Sequence, residues 1–134
     1  MEYKKKIDIS LIAFFVISTV SFYILNPVKN GLCGDTDIRC GTLLGDIGMS
    51  TFLFSVSLLV ALLFLRWSKE PSFISWSRFA KYYLPIAALL IIFSPTTDSS
   101  IFGFDKEFMS WFLSSLFLVI SIIIIFYKHF RQPK

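Results

Sequence analysis

Hydrophobic and polar positions fall along this chain in long blocks, not in short periods. Phe108 to Tyr127, FMSWFLSSLFLVISIIIIFY, runs for twenty residues without a charge. As a helix rising 1.5 Å per residue it would be about 30 Å long, the thickness of a bilayer's hydrocarbon core. Ile7–Leu25 and Leu43–Leu65 repeat the pattern, and Phe79–Phe93 repeats it in shorter form. The pattern predicts an all-α integral membrane protein, a four-helix bundle of transmembrane spans at about 7–25, 43–65, 79–93 and 108–127. Residues 1–134 would form one membrane domain.

The segments between the blocks read as short connections. Met1–Lys6 is a basic cap carrying Lys4, Lys5 and Lys6. It is not expected to open a cleaved signal peptide: the apolar run is long for one and ends in Phe22-Tyr23-Ile24-Leu25-Asn26-Pro27, not at small residues. Leu32-Cys33 likewise lacks the small residue that precedes a lipoprotein cysteine. Asn26–Thr42 is a loop by its Pro27, Gly31, Gly34 and Gly41. Residues 66–78, RWSKEPSFISWSR, read as a basic connection broken at Pro71, with Phe73, Ile74 and Trp76 along the headgroup layer. Lys81 is expected to snorkel from the start of span 3, and Pro85 to kink that span by freeing the Lys81 carbonyl. Ile101, Phe102 and Phe104 are expected to dip into the interface from the third loop. Short connections favour antiparallel packing of sequential spans.

Charge sets the orientation. The net charge of +4 comes from 13 Lys and Arg against 9 Asp and Glu. Ten of the 13 cluster on one side: Lys4, Lys5, Lys6, Arg66, Lys69, Arg78, Lys81, Lys128, Arg131 and Lys134. Only Lys29, Arg39 and Lys106 lie on the other. By the positive-inside rule both termini are cytoplasmic and the cysteine loop faces outside. The basic residues then meet anionic headgroups, and nucleic acid is not a partner. Tyr3, Trp67, Trp76, Tyr82, Tyr83 and Tyr127 would form the inner aromatic belt, with Tyr23 and Trp111 in the outer one.

Few side chains suggest chemistry. Cys33 and Cys40 lie in the outer loop, where thiols oxidise, and a structural disulfide is the expected state. The competing reading is a thiol oxidoreductase of the DsbB or vitamin K epoxide reductase type. Those families use Cys-x-x-Cys and a second cysteine pair; here six residues separate the two cysteines and there is no second pair. Asp35 and Asp37 lie near the cysteines without a histidine, so no metal site is expected. His129, the only histidine, follows the last span and reads as interfacial. The middle of every span, as bounded above, lacks an ionisable residue, which argues against a proton-coupled transporter. Gly41, Gly45 and Gly48, with Ser50, Ser57 and Ala61, form a small-residue stripe suited to close helix packing. Ser110, Ser114 and Ser121 share a face of span 4 with the same use.

The segment from Phe104 onward, FDKEFMSWFLSSLFLVISIIIIFYKHF, resembles the last span of small uncharacterised four-span membrane proteins of bacteria. Asp105-Lys106-Glu107 leads into a serine-bearing span that leaves through Tyr127-Lys128. The resemblance covers about a fifth of the chain and implies a multi-pass protein of the bacterial cytoplasmic membrane, with no activity attached. The expected role is therefore non-enzymatic, with no catalytic residue and no cofactor: an accessory or homo-oligomeric component whose spans pack on partner helices within the bilayer. A thiol-disulfide oxidoreductase, or an immunity-type protein against a pore-forming toxin, are the alternatives.

Overall fold

A computed structural model describes residues 2–94 and 105–131. They form four α-helices: α1 (Glu2–Ile24), α2 (Ile38–Trp67), α3 (Glu70–Phe93) and α4 (Lys106–Arg131). There is no strand among the described residues. All four helices are long and apolar enough to cross a membrane. The expectation for Ile101, Phe102 and Phe104 falls outside the described residues.

Local chemistry sets the helix ends. Asp37 caps α2 by accepting from the Cys40 backbone N–H at 3.2 Å, so the helix starts inside what reads as the first loop. Asp105 does the same for α4, accepting from the Phe108 N–H at 2.8 Å. These acceptors satisfy N–H groups that the first turn leaves without partners. At the other ends, the Ser68 N–H donates to Leu65 O and the Ser94 N–H to Ile91 O.

Two expectations are corrected here. Residues 66–78 are not a surface connection: Ser68 and Lys69 alone separate α2 from α3. Pro71 sits in the first turn of α3, where its missing N–H would have had no partner in any case. Ser72 and Trp76 then turn inward and are buried, so Trp76 is a core residue and not part of a headgroup belt. The helix continues through Pro85 to Phe93.

The second correction concerns packing order. α1 lies along α2, α2 along α4, and α4 along α3. Sequential helices α2 and α3 are not lengthwise neighbours; each packs on α4 instead. The small residues explain this choice. Ser50 Oγ lies 2.6 Å from Ser110 Oγ, and Ser57 Oγ donates to Ser114 O at 3.2 Å. Ser110 already donates its single proton to Lys106 O at 2.8 Å, so Ser50 is the donor between the two hydroxyls. Small side chains let α2 and α4 approach, and the hydroxyls bond across the seam.

The core lies toward the end of the bundle where α1 begins. Ile7, Leu58, Ala61, Leu62, Leu65, Trp76, Ala80, Phe117 and Ile125 are buried together. Phe117 is fully buried, stacked on Phe79 at a centroid distance of 5.7 Å and in contact with Tyr83 and Trp76. Trp76 donates to Ser121 Oγ, and the Tyr83 hydroxyl donates to Leu113 O at 2.7 Å. At the same end Tyr3 donates to Ser68 O at 3.4 Å and Asp8 faces Arg66 at 3.1 Å.

Candidate functional site

The loop between α1 and α2 is built by backbone bonds. Pro27 O accepts from the N–H groups of Leu32 and Cys33, at 2.8 and 3.2 Å. Gly31 takes φ 73°, the left-handed conformation that glycine adopts without a Cβ penalty. Asn30 and Tyr23 bond to one another, the Tyr23 hydroxyl reaching Asn30 O at 3.1 Å. This fold brings Cys33 and Cys40 to a Cα separation of 6.0 Å with their sulfurs at bonding distance. Cys33 is buried and Cys40 half-buried, so the bridge closes the loop over the adjoining helix ends.

The glycines differ in what they do. A Cβ at Gly48 would come within 3.2 Å of the Leu25 backbone nitrogen and 3.3 Å of the Ile24 carbonyl carbon. Gly48 is therefore where the end of α1 touches α2. A Cβ at Gly41 would meet only Val28, at 3.6 Å, and one at Gly45 would meet nothing within 4 Å. Of the packing residues expected from sequence, the structure brings Gly48 against α1, and Ser110 and Ser114 against α2. Gly45 faces open space.

That space is a small polar chamber of about 240 Å³, lined by Gly45, Asp46, Ser50, Lys106, Glu107 and Ser110 among others. It shares Asp46, Ser50 and Lys106 with an apolar cleft of about 470 Å³. The cleft runs between α2 on one side and Leu84, Ala88, Ile91 and Ile92 of α3 on the other, with Phe14 and Ile17 of α1 in its wall. Its volume is that of an ordinary small-molecule site. It exists because α3 packs on α4 and not on α2. Asp46 and Lys106 face it without forming an ion pair among the described residues. No group of three or more His, Cys, Asp or Glu is placed to hold a metal among the described residues.

Sequence reasoning missed one feature. Ser77, Arg78, Lys81, Tyr82 and Pro85 all lie exposed on one face of α3, at spacings of one, three, one and three residues. The contacts of Trp76 with Ser121 and of Tyr83 with Leu113 bracket Arg78 and Lys81 in height. Both cations are therefore level with the middle of the uncharged stretch of α4. The helix begins at Glu70, nine residues before the expected start of span 3 at Phe79, so Lys81 lies at the middle of α3 and not at its start. Tyr82 and Tyr83 are near the middle of α3 as well. The helical spacing of these polar residues was the available signal, hidden by reading 66–78 as loop. A lysine or arginine at the centre of a membrane helix costs about 2.5–3.5 kcal/mol on the insertion scale.

No protein-family model, curated protein or solved structure matches this chain.

Proposed function

We propose that this protein is an integral component of the bacterial cytoplasmic membrane, crossing it four times with both termini in the cytoplasm. Its role in this reading is non-enzymatic: an accessory subunit whose helices pack against a membrane partner. The observation that carries the reading is the inversion of surface and interior. Ile12, Phe15, Phe22, Phe93 and Trp111 are each more than 60% exposed, while Ser21, Ser110, Ser114 and Ser121 are at most 3% exposed. Water penalises such a surface, whereas lipid solvates it and leaves hydroxyls to find partners inside.

The ten-to-three division of Lys and Arg supports the orientation. That orientation puts the Cys33–Cys40 loop in an oxidising compartment, in keeping with the bonding distance between the sulfurs. The exposed outer faces of α1 and α3 support a packing role, since each of these helices lies lengthwise along one neighbour only. The bacterial assignment rests on the resemblance of the last span.

Reporter fusions test this. A phosphatase active only outside the cytoplasm should be silent after Lys134 and active when inserted near Ser99. The chain should stay in the membrane pellet through an alkaline carbonate wash. Reversed reporters, or release by carbonate, would overturn the reading.

A further inference from the structure

We propose that the exposed face of α3 docks a transmembrane helix of a different protein, one carrying an Asp or Glu at the height of Arg78 and Lys81. The proposal rests on the four-span reading above and specifies its partner. Neither Arg78 nor Lys81 has an ion-pair or side-chain hydrogen-bond partner among the described residues, and both are exposed. Their height is fixed by neighbours on α4, between Leu113 and Ser121. From there the nearer end of the uncharged stretch 108–127 is about two helical turns away, roughly 11 Å, so a lysine stem does not carry its charge to the headgroups.

Shifting the molecule in the bilayer does not relieve the problem. Raising Lys81 to the inner headgroups would put Val119, Ile123 and Phe126 into water, and these are 52%, 59% and 43% exposed. The cleft between α2 and α3 does not hydrate the stripe: Leu84, Ala88, Ile91 and Ile92 of α3 line it, and none of Ser77, Arg78, Lys81 and Tyr82 does. A partner helix supplies what neither route does. It covers the stripe, and a carboxylate on it pairs the cations in a medium where an unpaired charge is costly. Ser77 and Tyr82 flank the two charges, and Pro85 leaves the Lys81 carbonyl without its usual donor. The face thus offers hydroxyls and an acceptor besides the charges.

The partner is not a second copy. Apposing two α3 faces would set Arg78 and Lys81 against the same cations. Among the described residues the acids Glu2, Asp8, Asp35, Asp37, Asp46, Glu70, Asp105 and Glu107 lie in connections or toward helix ends, so a second copy brings none of these carboxylates to that height.

The test is photocrosslinking in intact cells. A benzophenone amino acid replaces Ser77 or Tyr82, with Ile123 on the exposed side of α4 as the control position. The expected result is a discrete adduct from 77 and 82 but not from 123, with a protein whose sequence has an Asp or Glu within a transmembrane span. Lys81→Glu should reduce that adduct at least about tenfold, the equivalent of one charge-assisted hydrogen bond. Exchanging the partner's acid for Lys should restore it. Because Lys81→Glu can impair insertion, the neutral Lys81→Met is measured alongside. On a lipid-facing surface it raises the amount of chain in the membrane; against a carboxylate it lowers chain and adduct together. Self-adducts, lipid adducts alone, a partner without an intramembrane acid, or labelling of a Ser77→Cys variant by an aqueous maleimide would each overturn the proposal. Release of the chain by carbonate would instead overturn the four-span reading, whereas a retained chain without the adduct overturns the docking surface alone.

Discussion

Trp76 donates its indole Nε1–H to Ser121 Oγ over 3.0 Å, with both side chains buried between α3 and α4. Neither partner has water to fall back on there. Ser121→Ala should therefore leave the indole N–H unpaired and lower stability by about 1 kcal/mol, between the ~0.6 average and the ~1.7 maximum for hydrogen bonds between membrane helices. Trp76→Phe should cost more, because it also removes area packed on Phe117. A double-mutant cycle, read by unfolding in mixed micelles, should give a positive coupling between the two changes. Strict additivity would mean that the bond contributes nothing.

The disulfide constrains a short loop, so its contribution is bounded. Eight residues from Cys33 to Cys40 correspond to about 2.5 kcal/mol on the chain-entropy account. Replacing both cysteines by Ser should lower stability by no more than about that amount. The pairing of α1 with α2 should survive, since Gly48 against Ile24 and Asp8 against Arg66 lie outside the loop. Alkylation of unreduced protein should add no mass. Two labels on protein taken from an oxidising compartment would show that the thiols are free.

Gly45 and Gly48 should respond in opposite directions to the same substitution. Gly48→Ala pushes a methyl against α1 backbone, which can move only by shifting the helix end, at a cost of about 1–3 kcal/mol for overpacking. Gly45→Ala meets nothing and gains up to about 1 kcal/mol in helix propensity. Thermal unfolding in detergent should rank Gly45→Ala at or above the native chain and Gly48→Ala below it. Equal destabilisation by both would restore Gly45 to the contact.

The long apolar blocks made the helices legible, because only burial in lipid or in a large core explains uninterrupted runs of that length. The small-residue stripe was legible as a packing surface for the same reason. Its partner was not: Ser50 and Ser57 could have met any neighbour, and their choice of α4 depends on the serines there falling at matching heights. Segment 66–78 misled because serine, lysine and proline lower its hydropathy. Pro71 in a first turn and Trp76 facing Ser121 cost the helix nothing, but that is visible only once the facing serine is known. The cation stripe followed from the same misreading, since the height of Lys81 depends on where α3 begins.

Phe117 gives the sharpest check on how lipid changes the energetics of packing. It is fully buried against Trp76, Phe79 and Tyr83, whereas Phe112 on the same helix is 50% exposed. In a water-soluble core, Phe→Ala costs about 3–5 kcal/mol, the sum of lost transfer energy and the cavity left behind. In a bilayer the transfer part shrinks, because the separated helices would expose the same ring to lipid. The cavity part stays, since the lost contacts with three aromatic rings are not replaced. Phe117→Ala should therefore cost about 2–3 kcal/mol, below the soluble range, and Phe112→Ala close to none. Phe117→Leu, which refills most of the volume, should recover at least half of the loss. Unfolding in bicelles gives these values, and engineered cysteines at exposed sites on α3 and α4 report whether the two helices separate. A Phe117→Ala variant as stable as Phe112→Ala would mean that α3 is held to α4 by its hydrogen bonds alone.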